Sequence, residues 1–245
     1  MRRCLLLATF WLAAVYLAAS ILPPARLSAA GPGPILPTIL TDRGTLALSD
    51  DFWQPVSKPW IEQSPHWEIV DGVLRGTHRK PFADNHGPVL NRPVQLEGAI
   101  VQLSFKLVGQ ARGVVHFNKK NGHLCRALMT KDAFYLIRRD SGGDKGTRLD
   151  MREMTITPDE WHTLVVEVAG GEMVASLDGK TVLLGQSDDL NQTKTALLLE
   201  ASGGTAWFKD FKVWHATLSR DWPARKAKLL AERQAAATSS DKTQP

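Results

Sequence analysis

Apolar and polar residues alternate with a period of two along most of the chain between residues 67 and 214. The cleanest stretch is 99–107, where Val101, Leu103, Phe105 and Leu107 share one side and Gln102, Ser104 and Lys106 the other. Successive strand residues point to opposite faces, so this pattern predicts a half-buried strand. Residues 161–168 repeat it, with Leu164, Val166 and Val168 against Thr163, Val165 and Glu167. Two hairpins punctuate the series. Asp71-Gly72 separates Trp67-Glu68-Ile69-Val70 from Val73-Leu74-Arg75-Gly76, and Asp178-Gly179 separates 173–177 from 181–184. Asp-Gly between apolar runs is a strong hairpin signal, because both residues tolerate positive φ. Further strands are expected at 113–118, 124–129, 133–138, 194–201 and 206–214. The polar segments 77–87 and 142–146 read as loops. The expectation is an all-β, antiparallel two-sheet β-sandwich of jelly-roll type.

The two ends break the alternation. Met1-Arg2-Arg3 precedes an uncharged stretch, 4–22, which Pro23 and Pro24 interrupt before Ser28-Ala29-Ala30. A basic start, an apolar centre and a small-residue exit make an export signal over residues 1–30. The apolar stretch is near the ~20 residues that span a bilayer, so an uncleaved anchor helix is the alternative. Residues 4–22 would touch membrane only in that case. Either way the chain is expected outside the cytoplasm, in the periplasm, cell envelope or medium. Residues 31–44 open with Gly31-Pro32-Gly33-Pro34 and read as a linker. The jelly roll is expected over 45–218, and 219–245 as a basic helical tail with a disordered end. Ser219 or Asp221 can cap that helix, and Pro223 suits its first turn. Its Arg225, Lys226, Lys228 and Arg233 read either as a handle for a membrane surface or acidic partner, or as a solvated face.

Charge narrows the function classes. The 245 residues hold 30 Lys and Arg against 25 Asp and Glu. Three basic residues belong to the signal, and the tail has six against three acidic. Residues 31–219 therefore carry 21 basic and 22 acidic residues, which speaks against a nucleic-acid-binding domain. Of the two cysteines only Cys125 follows the signal, so no intrachain disulfide is expected in the mature chain. Within a strand, an unpaired cysteine reads as a small buried apolar residue.

Four segments resemble a known family. Asp50-Asp51-Phe52-Trp53 resembles an opening strand, and 67–76 resembles a Trp-x-x-x-Asp-Gly-x-Leu hairpin. Leu103-Ser104-Phe105-Lys106-Leu107 resembles a long central strand, and Phe208-Lys209-Asp210-Phe211-Lys212-Val213 a closing one. Together they are similar to the concanavalin A-like jelly roll, and within it to the 3-keto-disaccharide hydrolase-like domain of exported bacterial proteins. The resemblance implies a carbohydrate ligand or substrate and cleavage of 3-keto-glycosides. The chain departs from the family at Ser104, at Ala111-Arg112-Gly113 and at Gly122-His123-Leu124-Cys125-Arg126, where carboxylates or amides are common.

Glycoside hydrolysis ordinarily uses two facing carboxyl groups, and the paired-Glu motif of laminarinase-type jelly rolls is missing here. A ketone acidifies the neighbouring C–H, so elimination followed by hydration is another route. It needs a base and a group that polarises the carbonyl. His86 and His116 are the candidate proton-transfer residues. Arg126 and Arg138 could hold sugar oxygens, with His78, Asn118, His123, Tyr135 and Trp53 as further sugar contacts. Structural roles compete with these: His116 could be an interior histidine, His123 could satisfy a turn, and Arg126 could pair with Glu200. The histidine spacing matches no metal motif, and neither metal nor cofactor is expected. A non-catalytic glycan-binding module and a structural cell-envelope protein are the alternative functions.

Overall fold

The computed structural model describes residues 33–54, 60–62, 66–79, 87–139 and 146–241. The expected signal or anchor helix, the loop residue His86 and the last four residues lie outside these.

Fifteen strands run in chain order: β1 (Thr41–Asp50), β2 (Ile61–Glu62), β3 (Trp67–Val70), β4 (Val73–Thr77), β5 (Val89–Leu96), β6 (Ala99–Val108), β7 (Arg112–Lys119) and β8 (Gly122–Met129), followed by β9 (Ala133–Arg139), β10 (Gly146–Glu153), β11 (His162–Ala169), β12 (Glu172–Leu177), β13 (Thr181–Gln186), β14 (Lys194–Ser202) and β15 (Thr205–Leu218). Helix α1 (Trp222–Asp241) closes the chain. All strand pairs are antiparallel, in two sheets. The eight-stranded sheet has the order β13-β12-β11-β6-β15-β4-β3, with β1 also paired to β15. The seven-stranded sheet has the order β10-β9-β8-β7-β14-β5-β2. The all-β sandwich expected from alternation is the fold.

The core lies between the sheets. Leu103, Phe105, Leu107 and Phe208 from one sheet meet Val115, Phe117, Phe134 and Leu199 from the other, all buried. Each such side chain contributes about 1.5–3 kcal/mol on burial. Cys125 is buried among them, and burial pushes its thiol pKa up to about 12. It is therefore an inert apolar filler. The two Asp-Gly turns form as expected: φ is 51° and 73° at Asp71 and Gly72, and 53° and 64° at Asp178 and Gly179.

Alternation missed four strands. β1, β2 and β10 are polar or edge segments whose place is set by a neighbour's backbone, while β5 puts Leu90 and Leu96 into the core but breaks its alternation at Arg92 and Pro93. β1 starts at Thr41, inside the segment read as linker. The residues before it are not loosely tethered. Gln102 binds both Leu36 N–H and Pro34 C=O, each at 2.9 Å. Glu167 accepts the backbone N–H groups of Ile39, Leu40 and Thr41 at 2.8, 3.0 and 2.8 Å, and the Thr41 hydroxyl at 2.7 Å. This segment, 33–40, is a strap across the outer face of the eight-stranded sheet.

Helix α1 docks on the same outer face. Trp222 is buried against Leu40 and Val174, with Val182, Leu184 and Leu229 around them. Lys226 pairs with Glu172 at 2.8 Å and Arg233 with Asp150 at 2.8 Å, while Arg225 donates to Ile39 C=O at 3.2 Å. Three of the tail's six basic residues, Arg225, Lys226 and Arg233, thus hold the helix, while Lys228 faces solvent beside Glu232. Among the described residues no helix is long and apolar enough to cross a membrane.

Candidate functional site

The core between the sheets is apolar, so polar chemistry sits at its margins or on an outer face. On the seven-stranded sheet, Val115, Phe117, Ala127, Phe134, Leu136 and Leu199 point inward. Alternation then sends Val114, His116 and Asn118 of β7, Arg126 and Leu128 of β8, Tyr135 and Arg139 of β9, and Leu198 and Glu200 of β14 outward. Register sets their neighbours. Asn91, Leu198, His116, Arg126 and Ile137 form one row across five strands. Val89, Glu200, Val114, Leu128 and Tyr135 form the next.

A β-bulge adds His123 to this group. Phe117 faces Cys125 but Asn118 faces His123, so Leu124 is the extra residue. Without the bulge, His123 would share the inward side of Cys125. With it, the imidazole lies 5.2 Å, centroid to centroid, from that of His116. Its Nδ1–H donates to Asn118 Oδ1 at 2.8 Å, which leaves Nε2 as an acceptor.

His116 and Glu200 are the polar centre. His116 is 4 % and Glu200 8 % exposed, and His116 Nε2 lies 2.8 Å from Glu200 Oε2. An ionised carboxylate can only accept, so Nε2–H donates and Nδ1 carries the lone pair. Burial lowers the His116 pKa, and the Glu200 contact only partly opposes this. His116 is therefore a neutral imidazole whose tautomer a carboxylate fixes. Burial also lowers His123, to about 4, with His116 and the guanidinium groups of Arg139 and Arg126 adding to the effect. Burial lowers Arg126 too, while Glu200 favours its charge and Arg139 and Arg112 oppose it.

Among the described residues, two polar atoms in the first row are buried without a hydrogen bond: Arg126 Nε, a donor, and Asn91 Oδ1, an acceptor. A buried polar group left unpaired costs about 1–3 kcal/mol. The row therefore holds one unsatisfied donor and one unsatisfied acceptor, each shielded from solvent.

Of the expected residues, His116, Asn118, His123, Arg126 and Tyr135 share this face. His86 lies outside the described residues. Three others have different places. Arg138 alternates with Phe134 and Leu136 and faces Cys125, so it lies on the inward side, where it pairs with Asp189. Its neighbour Arg139 is the outward one. His78 Nδ1 accepts from Gly203 N–H at 3.0 Å and ties the end of β4 to the β14–β15 turn. Trp53, 47 % exposed, lines an open hollow of about 510 Å³ with Glu62, Trp67, Glu68 and Asp71, beside β3 of the other sheet. Opening strand β1 ends at Asp50, before Trp53. Glu200, Arg139 and Asn91 were not among the expected site residues. For Glu200 a signal existed: it is a lone carboxylate in the apolar run Ala196-Leu197-Leu198-Leu199-Glu200-Ala201. Among the described residues no group of three or more His, Cys, Asp or Glu side chains is placed to hold a metal ion.

No protein-family model matches the chain, and no curated protein matches its sequence. Solved structures match its fold. It is similar to the CBM2 module of the evolved Dit of Lactobacillus casei BL23 phage J-1, at TM-score 0.61 and 9 % identity, covering 74 % of this chain and 99 % of that one. It is similar to the catalytic domain of an endo-1,3-beta-glucanase (laminarinase) from Thermotoga petrophila RKU-1, at TM-score 0.58 and 12 % identity, covering 72 % and 99 %. A galectin-like Bacillus subtilis protein of unknown function matches at TM-score 0.57 and 13 % identity, covering 74 % and 100 %. The two-sheet architecture and these likenesses give the chain the fold of a concanavalin A-like jelly roll. At such identities they establish the fold alone.

Proposed function

We propose that this is an exported carbohydrate-active domain that takes its sugar on the outer face of the seven-stranded sheet. The observation that carries the reading is the row Asn91–His116–Arg126, with two unpaired buried polar atoms beside an imidazole–carboxylate pair. Sugar hydroxyls both donate and accept, and so could complete both atoms. The carbohydrate-binding module and the glucanase of like fold support the class, and the basic, apolar, small-residue N-terminus supports export.

The resemblance to 3-keto-disaccharide hydrolases gives the pair a specific task. In a 3-keto-glycoside the C2–H lies beside the ketone. His116 Nδ1 takes that proton, Glu200 stabilises the imidazolium, and Arg126 or Arg139 holds the enolate oxygen. The enolate expels the C1 oxygen substituent, which leaves as the alcohol with the proton held by His116, and water then adds across the C1–C2 double bond, its hydroxyl to C1 and its proton to C2, so that the net change is hydrolysis. No second carboxylate is needed.

The burial of His116 favours a second reading, a glycan-binding module in which the pair is structural. Incubating purified protein with 3-keto-glucosides separates the two. The catalytic reading predicts turnover that falls by about 10²–10⁴-fold in His116→Ala, with the circular dichroism spectrum retained. It also predicts a loss in Glu200→Gln that sits in kcat more than in KM. Saturable sugar binding without turnover in the wild type would leave the module. Turnover unchanged in both variants would remove the pair from the chemistry.

A further inference from the structure

We propose that the outer face of the eight-stranded sheet is a second ligand surface, built for an acidic polysaccharide. The geometry is one transverse row. Glu68 of β3 faces Arg75 of β4, Arg75 faces Trp207 of β15, and Trp207 faces Lys106 of β6. Trp161 comes next, because its neighbour His162 faces Phe105. Strap and helix cover this face around Gln102, Glu167 and β12–β13, and the row lies beyond their contacts.

The row alternates rings and cations. Lys106 Nζ lies 5.0 Å from the Trp207 ring centroid and 5.4 Å from that of Trp161. Lys209 Nζ is 4.4 Å from Trp161, and the Arg75 guanidinium is 5.2 Å from Trp207. Glu68 neutralises Arg75. Among the described residues, neither lysine has a carboxylate partner. Two ammonium groups are thus held only by indole faces. Trp161 is 38 % exposed, and Trp207 keeps a buried, unpaired indole N–H.

These contacts select the ligand. Indole faces suit the C–H faces of pyranose rings, yet here cations cover them. A neutral sugar would have to break these cation–π contacts with nothing to receive the ammonium. An acidic sugar supplies a carboxylate for each displaced lysine and then stacks on the freed ring. The two indoles are two strand spacings apart, roughly 10 Å, so they would meet different rings of one chain. Half-buried lysines flank both indoles, which suits an extended charged polymer better than insertion into a bilayer.

The surface is independent of the His116 site, and the test keeps the two apart. Full-length mature protein is titrated with polygalacturonate and alginate, and with fully methyl-esterified pectin as the uncharged counterpart, while tryptophan fluorescence is followed. The expected result is quenching by at least one acidic polymer at about tenfold lower concentration than by the esterified one, weakened by added salt. Trp161→Ala and the double variant Lys106→Gln/Lys209→Gln each weaken that binding about tenfold, while His116→Ala leaves it unchanged. Equal binding of esterified and acidic polymers, wild-type affinity in the row variants, or no binding of either acidic polymer would overturn the proposal. So would duplex DNA binding as tightly at equal charge, because the row would then read charge alone.

Discussion

His116 and His123 show how position on a sheet changes one residue type. Both are neutral for the same first cause, burial, which lowers their pKa values. An unfolded chain restores both to about 6.5. Between that value and about 4 the unfolded state binds more protons than the folded one, so stability falls as pH drops through this window. Urea unfolding at pH 7, 5 and 4 should show midpoints that decline with acid, and a shallower decline in His123→Gln. A midpoint that rises with acid in the wild type would contradict the assignment of neutral rings. Arginines 138 and 139 show the limit of reading residues singly. Both carry a guanidinium, and only the alternation from Phe134 and Leu136 decides that Arg139 reaches the outer face. That information was in the sequence, but the strand was expected to stop at Arg138.

At the scale of elements, strands with an unbroken apolar alternation were legible and those without one were not. β6, β11 and β12 follow from alternation and the Asp-Gly turns. β1, with its mostly exposed residues, exists because β15 offers it a long backbone edge. The bulge at Leu124 was equally hidden, and it alone brings His123 beside His116. The strap has no periodicity at all. It is fixed by Glu167, whose carboxylate serves three backbone N–H groups and a hydroxyl while 1 % exposed. Glu167→Ala strands those donors in a buried position, and it should destabilise the domain by about 3 kcal/mol or more in urea unfolding. The variant should also be cut by protease within 33–40, where the wild type resists. A loss below about 1 kcal/mol with no new cleavage would mean that the strap is held by other contacts.

For the whole molecule the two outer faces have divided roles. Strap and helix cover much of the eight-stranded sheet, with ion pairs that use Lys226 and Arg233. The seven-stranded sheet carries the buried polar row and, around it, the guanidinium groups of Arg112, Arg126 and Arg139. This division explains why near-neutral composition over 31–219 coexists with a locally cationic site. In the proposed function, sugar occupies the row through His116 and Arg126. Histidine-ring NMR on the mature domain tests it directly, with 3-keto-glucosides, methyl glucosides and gluco-oligosaccharides as titrants. Saturable shifts of the His116 and His123 ring signals are expected with at least one of them, while His162, held by Asp178 in the other sheet, stays still. Binding that moves His162 and leaves both site imidazoles unchanged, or no shift with any titrant, would contradict it.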